Sequence, residues 1–461
     1  MKLEKAAGVM LAGAMILSLA ACGISSSGSG STAKKSESKD RSFLDINVGT
    51  TDKDLKGRVR FLTNRTDMQK KDYNGKTWDQ YVADFNKEYP NIKVTIKGLS
   101  NYADDAAKRL KSGDWGDVMM IPSSVLTRDL SRYFESYGSI EEINKVYRYC
   151  ADENADGQVY GIPQTCFASG MVYNKKVFRD AGITELPKTP DEFMEDLGKI
   201  KRNTKAIPLY TNYASKWAAG KWDDPIGVTT SGSDKYLNQT MLHTKDIFSD
   251  PGDGTGIYND FKILYDAVRN GYTEEDFSET DWESSKTMMN NGEIGVMMLG
   301  SWAVSQMKGA GDNPDDVGFM AFPMTVNGRQ YAAASPDYSY GISKNSQNLE
   351  ASQIWVKWLI EKSGYSYNEG GLAVAKDGKD ADFYSDLTDN GVEIIQNEPA
   401  KSGEETRLND LNQASLLNVG SDDGTRGQQI IESASSGRES FDDIMKDWNQ
   451  KWDSALSSAI L

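Results

Sequence analysis

RVRFL at 58–62, WDQYVADF at 78–85 and YPNIKVTI at 89–96 decide the class of fold. The first stretch alternates apolar and basic side chains with the two-residue period of a half-buried strand. The second places Trp78, Tyr81, Val82 and Phe85 on one face of a helix, and Pro90 closes it. In the third, Ile92, Val94 and Ile96 alternate with Lys93, Thr95 and Lys97, which predicts a strand again. Strand, helix and strand in succession form a βαβ unit, the building block of sheets covered by helices.

The alternation continues outward from this unit. A helix is expected over 103–111, then an apolar strand at Val118-Met119-Met120-Ile121. Thr189-Pro190-Asp191-Glu192 reads as a capping box with proline at the first helical position, followed by Phe193, Leu197 and Ile200 on one face. Strands are expected over 206–210 and, after a Met-rich helix, over 293–299. A helix over 350–361 buries Ile354, Trp355, Trp358 and Leu359, and a last helix after Ser440 carries Phe441, Met445, Trp448 and Trp452 at helical spacing. The class is α/β throughout, and no fixed-period repeat is present.

The N-terminus reads as an address. Lys2 and Lys5 precede an apolar run over 6–21, and small residues lead into Cys22. A membrane-spanning helix needs about 20 apolar residues, and this run is shorter. Leu19-Ala20-Ala21-Cys22 resembles the lipobox of bacterial lipoproteins, which implies a signal peptide over 1–21 and lipidation of Cys22. GISSSGSGSTAKKSESKDRS at 23–42 has too little apolar area to form a core and suits a flexible tether. We expect the linker to span 22–56 and the folded body to begin at Gly57. The remaining length exceeds what a single core organises, so at least two lobes are expected.

Composition excludes several classes of function. A net charge of −16 argues against nucleic acid, whose phosphates demand a basic surface. His243 is the single histidine, so His-based triads and multi-His metal sites are unavailable. No G-x-x-x-x-G-K-[ST] loop is present, and ATP hydrolysis would belong to a separate partner. Asp152-x-Asn154-x-Asp156-Gly157 matches the first half of a calcium loop, but the twelfth position, which must supply a bidentate carboxylate, is Pro163. A tight turn is the reading, with no metal and no cofactor. Cys150 and Cys166 are open to either a disulfide or two separate buried thiols.

Several segments, taken in order, resemble the family 1 extracellular solute-binding proteins, the group that includes the maltose-binding proteins. FNKEYPNIKV at 85–94 is similar to the family's F-x-x-x-x-P-x-I-x-V, and SGDWGDV at 112–118 to its sGxxPDV, with Gly116 in place of the usual proline. DGQVYGIP at 156–163, followed by VYNKKVF at 172–178, is the most specific pair. NGEIGVMMLGSW at 291–302 and DYSYGIS at 337–343 complete the series. The resemblance implies a type II binding-protein fold: two α/β lobes, a multi-segment hinge and a ligand cleft between them that closes on binding. It places the crossings near 162–167, 321–334 and 363–373, so that 57–165 with about 330–365 form one lobe and about 166–329 with about 366–461 the other. It also implies a monomer that delivers a carbohydrate to the membrane subunits of an ABC permease.

Sugar recognition needs flat aromatic faces for the C–H face of a pyranose and fixed polar groups for its hydroxyls. Trp302 follows a Gly-Ser turn at a strand end and is the first aromatic candidate. Tyr338 and Tyr340 share one side of an extended segment beside Asp337. Asn212, Trp217 and Trp222 follow a strand end, where α/β ligands bind. Asn64, Arg65 and Asp67 follow the first strand. Trp115 and Asp117 lie in the PDV-like block, and Phe167 stands where many relatives carry a polar residue. For each of these, core packing or a solvated loop is the alternative. The competing functions are capture of a non-sugar solute such as a peptide or polyamine and, with 68 acidic residues in the chain, a two-carboxylate glycosidase.

Overall fold

The structure, a computed structural model, describes residues 41–458 apart from Asp72, Asn74, Ser123, Ser402 and Asp422. The expected signal peptide over 1–21, the expected lipidation site Cys22 and the expected linker as far as Asp40 lie outside the described residues.

Gly57–Thr63 and Ile92–Gly98 run parallel in register from Gly57↔Ile92 to Thr63↔Gly98. The helix between them, Trp78–Glu88, starts at a capping box in which Thr77 and Gln80 exchange side-chain-to-backbone hydrogen bonds, and it buries Trp78, Tyr81 and Phe85. Val118–Met120 adds a third parallel strand. Ser339–Ile342 joins antiparallel to Val118–Met120, and Ile162–Pro163, antiparallel to Ser339–Ile342, completes this five-stranded sheet. Against it packs Leu349–Glu361, whose Trp355 and Trp358 stack at 5.8 Å and meet Phe61 and Phe85 edge-on. This is the first lobe.

The second lobe is built on a four-stranded sheet in the order Ile207–Tyr210, Ile294–Met298, Met171–Asn174, Val317–Met320. The first two are parallel; Met171–Asn174 is antiparallel to both of its neighbours. The C-terminal helix Phe441–Ser458 covers part of this lobe with Trp448, which lies edge-on between Phe248 and Phe261, and with fully buried Trp452.

Three chain segments pass between the lobes, and they are hydrogen-bonded to one another. The first, 163–168, is central. On one edge Asp337 N donates to Thr165 O (3.0 Å) and Gln164 N to Tyr338 O (3.1 Å); on the other, Cys166 and Leu372 exchange backbone bonds of 3.2 and 2.8 Å. Two boundaries differ from expectation. The second crossing lies at 336–339 rather than 321–334, because Arg329–Pro336 is a strand that pairs with Cys166–Ala168 and Glu393–Ile395 before the chain reaches the first sheet. The third segment, 366–376, runs beside the first lobe for its whole length, past the boundary expected at 366. Tyr365 is buried against Trp78 and Tyr81, and Arg148 N donates to Val374 O at 2.8 Å.

The body also begins earlier than Gly57. Ser42 caps a short 3-10 turn, Phe43–Asp45, and Phe43, Ile46 and Val48 are buried in the first lobe. Phe43 meets Tyr137 edge-on at 4.7 Å, and the buried Lys357 amine donates to the carbonyls of Phe43 and Leu44 at 3.2 and 3.1 Å. A buried ammonium without partners would be costly, and these carbonyls, with Glu361 at 3.5 Å, satisfy it. Phe43→Ala should therefore cost about 3–5 kcal/mol of stability in urea unfolding; a loss below about 1 kcal/mol would make 42–48 peripheral to the core.

Candidate functional site

Loops at the C-terminal ends of parallel strands are where α/β folds bind ligands, and on the second lobe that end carries three tryptophans. Trp217 lies in Lys216–Ala219, just past the strand Ile207–Tyr210; Trp302 opens Trp302–Lys308, just past Ile294–Met298. Trp282 opens Trp282–Asn291 behind the cap Asp281, whose backbone N–H donates to the Tyr210 hydroxyl at 3.0 Å. Ring centroids are 5.2 Å apart for Trp217–Trp282, 5.7 Å for Trp217–Trp302 and 5.5 Å for Trp282–Trp302, with interplanar angles of 84°, 52° and 63°. No two of these rings are stacked, and all three are only partly buried.

The turn that presents Trp302 is fastened to the crossings. Ser301 Oγ accepts from Ala168 N at 3.0 Å and shares a 2.6 Å hydrogen bond with the Tyr384 hydroxyl, and Ser301 N donates to Ala168 O at 2.9 Å. Phe167, in the same crossing strand, is part-exposed while Cys166 and Ala168 on either side are buried.

The first lobe offers a polar edge at the C-terminal end of Gly57–Thr63. Arg65 gives two bonds to Asp67 through Nε and one through a terminal nitrogen (3.0, 3.2 and 2.8 Å) and further bonds to the hydroxyls of Tyr73 (2.8 Å) and Tyr365 (3.2 Å); it also lies 2.8 Å from Glu369 Oε2. Burial pushes the Asp67 carboxyl up, but the Arg65 bond and charge outweigh it and hold Asp67 below the usual carboxylate range. Arg65 was expected to bind hydroxyls; most of its fork is committed to protein groups, so it acts as a strut that fixes its neighbours. Asn64 is part-exposed beside it. Asp337 and Tyr338 reach the same end of the sheet from the second crossing: Asp337 accepts from the Gln164 amide at 2.5 Å, and burial raises its carboxyl pKa. Tyr338 is part-exposed and lies edge-on to Tyr102 at 5.4 Å.

Five expected site residues lie elsewhere or face inward. Trp115 and Asp117 precede the strand Val118–Met120 and so sit at the opposite end of the sheet. Trp115 packs on Phe134 in the core, and Asp117 accepts from Arg60 N (2.9 Å) and the Ser346 hydroxyl (2.7 Å). Trp222 is 1% exposed and lies edge-on to Phe322 in the second core. Tyr340 shares parity with Tyr338 but is fully buried against Phe61. Asn212 is 2% exposed in a left-handed turn (φ +54°) that carries the chain from its strand toward Trp217; its carbonyl accepts from Ser215 N. Conversely, Trp282, Tyr73, Gln164 and Glu369 join the site unannounced. Among the described residues, no group of three or more His, Cys, Asp or Glu is arranged to hold a metal, and Cys150 and Cys166 are both free and buried. Two surface hollows on the second lobe, of about 500 and 420 Å³, are lined by other residues, among them Tyr258 and Asn449 in one and Lys205 and Met288 in the other.

A side chain at Gly300 would displace the Trp302 ring, since an added Cβ would stand 2.6 Å from its Nε1 and 2.7 Å from its Cδ1. Gly300→Ala should therefore alter the near-ultraviolet circular dichroism of the tryptophan cluster while leaving the far-ultraviolet spectrum intact; an unchanged near-ultraviolet signal would show that the ring is not held there.

The family model described as bacterial extracellular solute-binding protein matches residues 71–365. A multiple sugar-binding protein of Streptococcus mutans is 26% identical over 332 residues, 69% of this chain and 76% of its own. A maltooligosaccharide ABC transporter solute-binding lipoprotein of Streptococcus pneumoniae is 26% identical over 308 residues, 62% of this chain and 67% of its own. Two Bifidobacterium animalis subsp. lactis structures are similar at 48% identity and a TM-score of 0.84, each covering 91% of this chain and 99% of its own. They are the binding protein BlMnBP1 in complex with mannobiose and the manno-oligosaccharide specific solute-binding protein BlMnBP2 in complex with mannotriose. With a family match over most of the body and a shared two-lobed architecture, this chain belongs to the bacterial extracellular solute-binding proteins.

Proposed function

We propose that this chain is the solute-capturing component of an ABC importer and that its ligand is a manno-oligosaccharide, held between the tryptophan cluster of the second lobe and the polar edge of the first. The observation that carries this reading is the cluster itself: three part-exposed, unstacked indoles at the ends of parallel strands, beside the crossings. Lys286 lies 4.8 Å from the Trp282 centroid and occupies one face of that ring, so Trp282 buttresses while Trp217 and Trp302 offer faces to the sugar's C–H groups. Asn64, Asp67, Asp337 and Tyr338 supply hydroxyl partners from the opposite side, and Phe167, part-exposed in the crossing strand, adds an apolar contact. Closure about the three crossings would bring the two surfaces onto one ligand and exclude water. The likeness to BlMnBP1 and BlMnBP2 at 48% identity supports mannose units as the sugar.

Binding rather than turnover is the activity we assign, and lipidated Cys22 the anchor that keeps the chain on the extracytoplasmic face of the membrane, as a monomer delivering ligand to permease subunits and a separate ATPase. In calorimetry, mannobiose and mannotriose should bind without release of free mannose, whereas maltotriose and spermidine should give no comparable heat. Trp302→Ala should weaken mannotriose binding by about 1–3 kcal/mol with little loss of fold; unchanged affinity would reassign Trp302 to packing, and steady release of mannose would make the chain a glycosidase. Separately, Cys22→Ala should shift the protein from the membrane fraction to the soluble fraction; retention on membranes would overturn the anchor.

A further inference from the structure

The Glu369 carboxylate is 7% exposed and lies in neither lobe's apolar core. On the first lobe it is 2.8 Å from the Arg65 guanidinium and accepts a 2.9 Å bond from the Tyr73 hydroxyl. Its backbone faces the other lobe: Glu369 O accepts from the Ser305 hydroxyl at 3.4 Å, and the next residue's carbonyl, Gly370 O, accepts from the Tyr384 hydroxyl at 3.3 Å. Ser305 stands one turn along the helix that Trp302 opens, and its single hydroxyl proton is shared between Glu369 O and Trp302 O, the latter at 3.3 Å. Tyr384 is the residue that holds Ser301. One short segment thus touches the polar edge through its side chain and the tryptophan platform through its carbonyls.

We propose that Glu369 is a positioning residue for ligand capture: by clamping the third crossing to Arg65 and Tyr73, it fixes the seam on which the Trp302 helix rests and so sets the angle between the two binding surfaces. The charged pair is suited to this task. Arg65 is restrained from several directions at once by Asp67, Tyr73, Tyr365 and Glu369, and a planar fork restrained in this way resists rotation more than a lone hydrogen bond would. Gly370, at φ +75°, then turns the chain away immediately after the clamp, and Gly371 packs so closely that an added Cβ would fall 3.0 Å from Cys166 O. The seam therefore has little room to adjust if the clamp is lost. Glu369 need not touch the sugar, and the role rests on the oligosaccharide reading above only for the identity of the ligand.

The test is made on the full chain without ligand and then with mannotriose. In solution X-ray scattering, ligand-free Glu369→Gln should show a larger radius of gyration than the wild type, with mannotriose affinity about tenfold weaker. Arg65→Met should open the ligand-free protein at least as far, since Asp67 loses its partner as well, and the double variant should be no worse than Arg65→Met alone, because both remove one clamp. Ser305→Ala, which leaves the carboxylate network intact, should open the ligand-free protein in the same sense and decides the matter if Glu369→Gln fails to fold. Unchanged scattering in both Glu369→Gln and Ser305→Ala, or fully additive losses in the double variant, overturns the proposal. A wild-type chain that does not bind mannotriose overturns the oligosaccharide reading instead, and the ligand-free scattering still decides the role of Glu369.

Discussion

Thr165 and Cys166 are fully buried, and their backbone groups are shared among all three segments that pass between the lobes: Thr165 O receives Asp337 N, while Cys166 N and O bond to Leu372. Buried backbone polar groups must be paired, and here the pairing partners are the other crossings themselves. The crossings therefore form a short sheet instead of three independent strings, and a motion of one lobe bends them together. Gly371 is required by the same closeness, since a Cβ there would run into Thr165 and Cys166. A hinge of this kind permits rotation about the crossings while resisting sliding of one lobe across the other.

The candidate site inherits its geometry from that bundle. Ala168, two residues past Cys166, gives its N–H to Ser301 and takes the N–H of Ser301, which fixes the turn before Trp302. Asp337 and Gln164, on adjacent crossings, bond to each other on the first-lobe side. Aromatic and polar halves of the site are thus each one or two residues from the same buried backbone. Individually these bonds contribute about 0.5–1.5 kcal/mol, but their shared origin means that a disturbance of the bundle reaches both halves.

The α/β class and its strand–helix order are legible because periodicity is a direct image of burial: Trp78, Tyr81 and Phe85, and again Trp448 and Trp452, are spaced as their burial requires. The apolar spacing of Phe43, Ile46 and Val48 carried the same signal for the earlier start of the body, masked by the Ser/Lys-rich stretch before it. Long-range pairing has no local signature. Nothing in Arg329–Pro336 indicates that its partners are 166–168 and 393–395, so the second crossing is displaced from where a motif alone puts it.

Site residues divide by which end of a strand they occupy. Trp302 and Trp217 follow their strands and reach the end that carries the candidate site, whereas Trp115 and Asp117 precede theirs and lie at the other end, although residue type alone presents all four as equals. Parity has a similar limit. Tyr338 and Tyr340 share parity in the sequence, but Tyr340 enters the pairing with Met120 and Ile162, where it is buried completely against Phe61, while Tyr338 lies just before the strand against Tyr102 and is part-exposed. Trp282 was invisible for a different reason: a tryptophan at the first position of a helix behind an aspartate cap reads as ordinary helix chemistry, and only the bond from Asp281 N to the Tyr210 hydroxyl draws that helix start to the strand end where the other two rings wait. Strand direction, more than residue type, separates the part-exposed side chains of the candidate site from those packed into the cores beneath it.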